Sequence, residues 1–199
     1  MPSIDDDDEV RRPRKVYVDG VDVNITGSKV QYLNSEGKLI TEELTDYTKT
    51  KVENHFPSLD NFLQEWNDAD RIQVLVDELE SKGIMVHELS EEVGKEFDPF
   101  DLVCHVAYDM PPLTRKERAN NVKKRNYFAL YGEQARGVID SLLDKYADTG
   151  ITDIENPKIL EIAPINKYGT PAEIVGYFGG IDGYKEALRD LRAQLYTSE

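Results

Sequence analysis

One cysteine, Cys104, stands in 199 residues, so no internal disulfide can form, and its setting in the apolar stretch LVCHVAY reads as a small core residue. No apolar run approaches the roughly 20 residues that span a bilayer. No G-x-x-x-x-G-K-S/T is present, which removes the phosphate cradle of the Walker type; Gly179, Gly180 and Gly183 read instead as a turn between two helices. Histidine is scarce, with His55, His87 and His105 far apart, and adjacent Cys104 and His105 project about 100° apart on a helix. That spacing supports neither a zinc site nor a Cys-His nucleophile pair. The opening MPSIDDDDEVRRPRK has no apolar segment of the kind a signal peptide needs, so the cytoplasm is the expected location.

What is present suits a water-soluble globular chain: 39% hydrophobic and 32% charged residues in 22.7 kDa, enough for one sizeable core. Residues 1–14 read as an acidic disordered tail or linker. In VYVDGVDVNI two alternating runs flank Asp19-Gly20, the strongest short hairpin signal, and VQYL turning through Asn34 to Gly37 into KLI gives a second hairpin. Residues 15–40 are therefore expected to form a small antiparallel unit and 41–199 a helical domain. Ile72, Leu75, Val76 and Leu79 make a helical stripe that stops at Gly83. A longer stripe runs from Phe128 and Tyr131 through Val138 and Leu142 to Tyr146, and Ala187, Leu188, Leu191 and Leu195 form the last. Thr114 with Glu117, and Thr170 with Glu173, fit capping boxes; Asp98-Pro99 reads as another helix start. The fold class is mainly α, with a compact helical domain behind an N-terminal antiparallel β-hairpin unit.

A metal-dependent nuclease needs an Asp followed by Glu-x-Lys, and two matches exist. Asp60 with Glu80 and Lys82 puts the last two at i and i+2 on a helix, where they do not share a face; Asp22 with Glu36 and Lys38 puts Glu36 in a turn. Neither supports catalysis, and no catalytic, metal or cofactor-binding residue is assigned. The distinctive segment is Pro111–Tyr127, PPLTRKERANNVKKRNY, with six basic residues and one acidic. The chain's net charge is −15, so the rest sums to −20, and the segment opposes its own chain's field. On a helix capped by Thr114, Arg115, Arg118 and Arg125 share a face, with Lys116, Lys123 and Lys124 beside it and Asn120, Asn121 and Asn126 able to bond phosphate or sugar. The docking candidates are Arg115, Lys116, Arg118, Lys123, Lys124, Arg125 and Asn126, facing nucleic acid or an acidic protein; a plain solvated face is the alternative.

The run FDPFDLVCHVAYDMPPLTRKERANNVKKRNYFALYGEQARGVIDSLLDKYADTG, with GTPAEIVGYFGG and VQYLNSEGKLITEELTDYTK, resembles the C-terminal domain of the R (restriction and motor) subunit of type I restriction-modification enzymes, in the EcoEI-like branch, over about residues 15 to 196. The resemblance implies a non-catalytic helical domain that docks an ATP-dependent, DNA-translocating nuclease subunit onto a core of methyltransferase and specificity subunits, with duplex DNA as a second expected contact. ATP and Mg would belong to the parent subunit, since nuclease and motor motifs are lacking here, and the chain looks like an excised or truncated C-terminal region. A different class, a free-standing acidic interaction module or DNA mimic, would need acids in a ridge, whereas here they are interspersed along helices.

Overall fold

The computed structural model describes residues 13–197. Four strands, β1 (Arg14–Val18), β2 (Val21–Thr26), β3 (Lys29–Leu33) and β4 (Leu39–Glu43), form an antiparallel meander in chain order. Both expected hairpins are present, and the first turns through Asp19 at φ 49° and Gly20 at φ 83°, the two positive dihedrals a two-residue turn of this hand needs. The last strand continues through Thr41 to Glu43, where residue-by-residue pairing with β3 outweighs the helical pattern that begins beyond it. Arg14, grouped by sequence with the tail, opens β1: its guanidinium reaches Glu80 at 3.0 Å and Glu88 at 2.5 Å. Of the expected tail, residues 1–12 lie outside the described residues.

Alternation decides which face of the sheet is covered. Val18, Val23, Ile25 and Val30 point inward and pack on Leu44, Tyr47 and Met85. Leu44 and Tyr47 belong to α1 (Leu44–His55), so the sheet and the first helix share a small core. The larger core is helical: α2 (Leu59–Asp68), α3 (Ile72–Ser81), α4 (Val86–Val93), α5 (Pro99–Tyr108), α6 (Arg115–Arg125), α7 (Glu133–Thr149), α8 (Ile151–Glu155), α9 (Pro171–Gly176) and α10 (Ile181–Leu195). At its centre Phe62, Trp66, Phe100 and Tyr196 interlock, with Phe62 and Phe100 stacked at 5.6 Å and Trp66 edge-on to Tyr196 at 5.2 Å.

The expected stripes fill this core, with one correction. Leu75 and Leu79 on α3, Val138, Ile139, Leu142 and Tyr146 on α7, and Ala187, Leu191 and Leu195 on α10 are buried. Phe128 and Tyr131 do not belong to the α7 stripe. Asn126 adopts left-handed φ at 51° and ends α6, the 3₁₀ turn Tyr127–Leu130 follows, and α7 starts only at Glu133. Phe128 still reaches the core from that turn, which is why its spacing mimics helical continuity. Leu75→Ala and Leu142→Ala are each expected to cost about 2–5 kcal/mol, read as a lowered urea midpoint; unmoved midpoints would show that these stripes are not core.

Candidate docking surface

Thr114 nucleates α6 as foreseen. Its hydroxyl accepts from the Glu117 backbone N–H at 3.1 Å while the Glu117 carboxylate accepts from the Thr114 N–H at 2.8 Å, a closed capping box. The shared face of Arg115, Arg118 and Arg125 is also present, but its centre turns inward: Arg118 is buried with Ala119 and Val122 and Arg115 is half-buried, while Arg125 stays exposed at the helix end. Arg118 is buried: Nε donates to Asp101 Oδ2 at 2.8 Å, Nη2 to Oδ1 at 2.7 Å, and Nη1 to the Leu195 carbonyl at 2.7 Å. Its guanidinium lies 5.2 Å from the Phe100 ring and 5.1 Å from that of Tyr196. Arg118 is therefore withdrawn from the docking set, because it is buried and each of its three guanidinium nitrogens donates inside the protein.

Arg115 and Arg125 are drawn in the same way, less completely. Arg115 Nη1 donates to the Phe97 carbonyl at 3.2 Å and stands 3.9 Å from Asp98; Arg125 Nη1 donates to the Gln194 carbonyl at 2.8 Å. Arg118 and Arg125 thus cap the C-terminal carbonyls of α10, where positive charge is favoured by the helix dipole. Asn126 serves first as the left-handed residue that ends α6, and its carbonyl accepts from the Ala129 N–H at 3.3 Å.

The solvent face belongs to other residues. Lys116, Asn120, Lys123 and Lys124, at i, i+4, i+7 and i+8, are exposed together. Lys123 pairs with Asp144 of α7 at 2.5 Å, while Lys116 and Lys124 have no ion-pair partner among the described residues. This face runs into the α6–α7 corner, where Tyr127 is 46% and Leu130 98% exposed. Beneath Tyr127 a cleft of about 320 Å³ is lined by Val122, Asn126, Phe128, Arg136 and Leu143, among others. Sequence reasoning passed over Leu130 because an isolated leucine carries no periodic signal; only the position of the turn exposes it.

Behind α6 lies a buried polar cluster that no local spacing announces. The Tyr196 hydroxyl donates to Asp98 Oδ2, and the Tyr146 hydroxyl donates to that of Tyr196 at 3.1 Å. Burial pushes the Asp98 carboxyl above its ordinary range, against the pull of the two hydroxyls and Arg115. Burial likewise pushes the Cys104 thiol up to about 12, which keeps it protonated and unreactive near neutral pH. The residues of the nuclease pattern have other uses: Glu80 accepts from Arg14 at 3.0 Å and from the His87 N–H at 2.9 Å, and Lys82 is the C-cap of α3. Among the described residues no group of three or more His, Cys, Asp or Glu side chains is placed to hold a metal ion, and no helix is long and apolar enough to cross a membrane.

The chain is thus a helical body behind a four-stranded meander, with an exposed basic and apolar corner and a buried Arg–Asp pair. Comparison with known proteins places it in a family. The family described as EcoEI R protein C-terminal matches residues 42–196, and the chain belongs to that family. The chain is also 47% identical over 191 residues to a type I restriction enzyme EcoAI endonuclease subunit from Escherichia coli, a match that takes in 96% of this chain and 24% of the relative. It therefore spans about a quarter of that relative's length. No solved structure matches the chain.

Two expectations test the cluster. Arg118→Met strands the Asp101 carboxylate in the core and should cost about 3–5 kcal/mol, whereas Arg118→Met with Asp101→Leu should recover much of it in a double-mutant cycle. A single variant as stable as the parent would remove the pair from the anchor. For Asp98 the folded carboxyl holds its proton to higher pH than the unfolded one, so its contribution is full below about pH 4 and is lost as pH rises through the folded value. Asp98→Asn should accordingly gain on the parent as pH rises above about 4 in urea unfolding; parallel profiles would contradict the raised pKa.

Proposed function

We propose that this chain is the non-catalytic C-terminal domain of a type I restriction endonuclease R subunit, docking an ATP-dependent, DNA-translocating subunit onto its methyltransferase and specificity partners through the α6–α7 corner. The observation that carries the reading is the exposure of Leu130, at 98%, and of Tyr127 in the turn that directly follows α6, whose solvent face carries Lys124. Protein interfaces place apolar and aromatic anchors at the centre of a patch and charges at its rim, whereas a backbone-reading DNA surface needs mainly cations. An acidic partner surface with an apolar pocket for Leu130 fits this corner, and Lys116, Lys123 and Lys124 supply the complementary rim. Duplex DNA is the secondary contact, reached by the same lysines and by Asn120. ATP and Mg act elsewhere in the parent subunit, and the acidic-decoy alternative is disfavoured by family membership and by interspersed acids.

Two variants separate the partners, built in a chimaera in which this chain replaces the matching segment of the EcoAI endonuclease subunit. Leu130→Asp should abolish co-purification with the methyltransferase and specificity subunits, while folding stability shifts by no more than about 0.5 kcal/mol. The triple change Lys116→Ala, Lys123→Ala and Lys124→Ala should weaken assembly. If it also makes the log-log salt slope of DNA binding shallower by roughly 0.9 per lost phosphate contact, the lysines touch DNA as well. Undiminished assembly in both variants would return the corner to a plain solvated surface.

A further inference from the structure

The end of the sheet that carries the β1–β2 and β3–β4 turns has no use in this reading. Register places Tyr17 opposite Asp22, and Leu33 opposite Leu39. Since Val23 pairs with Tyr32, Asp22 lies beside Leu33, so Tyr17, Asp22, Leu33 and Leu39 form one row across all four strands. Tyr17 is 68%, Leu33 54% and Leu39 59% exposed, three large apolar side chains in a single row of the outer face. Under the same end, between sheet and α1, a cleft of about 300 Å³ is lined by Val18, Val21, Val23, Tyr32, Leu33 and Tyr47. Leu33 is common to the row and the cleft. Two acids at the rim are answered within the chain, Asp22 by Lys15 at 3.4 Å and Asp19 by Lys51 at 3.8 Å, and the exposed Glu36 and Lys38 flank the apolar row at the β3–β4 turn.

We infer that this turn end of the sheet is a docking surface for the part of the longer endonuclease subunit that lies outside this chain, which seats an apolar side chain in the cleft and covers Tyr17, Leu33 and Leu39. The inference rests on the proposed function, because it takes the parent to be such a subunit. Two observations select this occupant over an unrelated protein. The relative matches nearly all of this chain yet is about four times as long, so most of its surface-burying mass lies beyond the matched segment. The C-terminal family match starts at residue 42, so the sheet falls almost wholly outside it while still lying within the stretch shared with the relative. An apolar row on the one element set apart from the helical family unit suits an interface within a longer chain, where an exposed apolar patch would otherwise favour aggregation.

Thiol labelling tests this. Cys104 is buried and its thiol stays protonated, so Leu39→Cys and, as a control at the other surface, Leu130→Cys each introduce the reactive site of this chain. Site-resolved mass spectrometry after maleimide treatment is run on the isolated chain and on the chimaera with the remainder of the EcoAI endonuclease subunit, without methyltransferase or specificity subunits. Labelling at Leu39→Cys should slow on the order of tenfold in the chimaera, as for a side chain excluded from water in an interface core, while labelling at Leu130→Cys stays unchanged. Adding Tyr17→Asp and Leu33→Asp should restore fast labelling. Equal rates in chimaera and isolated chain would overturn the inference, as would labelling of the isolated chain that slows with its own concentration, which would mark a contact between copies. A chimaera that assembles with its partner subunits yet labels equally would sink this inference alone; one that shows protection but no assembly would sink only the docking reading of the α6–α7 corner.

Discussion

Arg118 and Asp101 hold one end of the helical body, and much of its architecture can be followed outward from that pair. Asp101 sits on α5 and also accepts from the Leu113 N–H at 3.0 Å, fixing the loop that delivers Thr114 to its capping position. Arg118 spans from α6 to the last carbonyl of α10, so three helices and one loop converge on a single guanidinium. A charge so enclosed is tolerated because both carboxylate oxygens, a carbonyl and two aromatic faces surround it. Buried pairs of this kind add little net stability over a well-packed apolar replacement; this one ties α6 to α5 and to the end of α10 at a single point.

A second junction, one turn earlier on α10, repeats this solution with different residues. Arg192 of α10 is 2% exposed; its Nε donates to Glu155 of α8 at 2.7 Å, and its Nη groups reach the carbonyls of Trp66, Ala69 and Asp70, where α2 ends. Glu155 in turn accepts the Ile72 N–H at 2.8 Å, at the start of α3. The cation therefore meets a helix C-terminus and the anion a helix N-terminus, each matched to the local dipole. α10 is tied at both places: its own end is capped by Arg118 and Arg125, and it caps the end of α2 through Arg192.

Local rules made the turns and caps legible, though not the start of α7 or the end of β4, and the long-range pairs stayed hidden because those rules act only locally. Thr114 with Glu117 and Asp19 with Gly20 act over three residues or fewer, so their chemistry is written in adjacent letters. Arg118 and Leu195 are 77 residues apart, and Glu155 and Arg192 are 37 apart, distances at which no periodicity operates. The common face of Arg115, Arg118 and Arg125 was correctly placed by spacing, but a period fixes which residues share a face and not which way that face points. Composition favoured outward; Ala119 and Val122, interleaved on the same face, carried the contrary signal.

That reversal changes what the basic segment means. A cluster of six cations in an acidic chain first suggests a single external polyanion. In the folded molecule Arg115, Arg118 and Arg125 spend their donors on carbonyls and carboxylates of the chain itself, because two helix ends and two buried acids converge behind α6. The lysines and Arg125 face water, and Lys123 is already half committed to Asp144. Arginine is suited to the inner task by its planar fork and low hydration, and lysine to the outer by its hydrated point charge. The outward charge of α6 is thus carried by Lys116, Lys123, Lys124 and Arg125, one of them answered by Asp144, and not by all six cations of the segment.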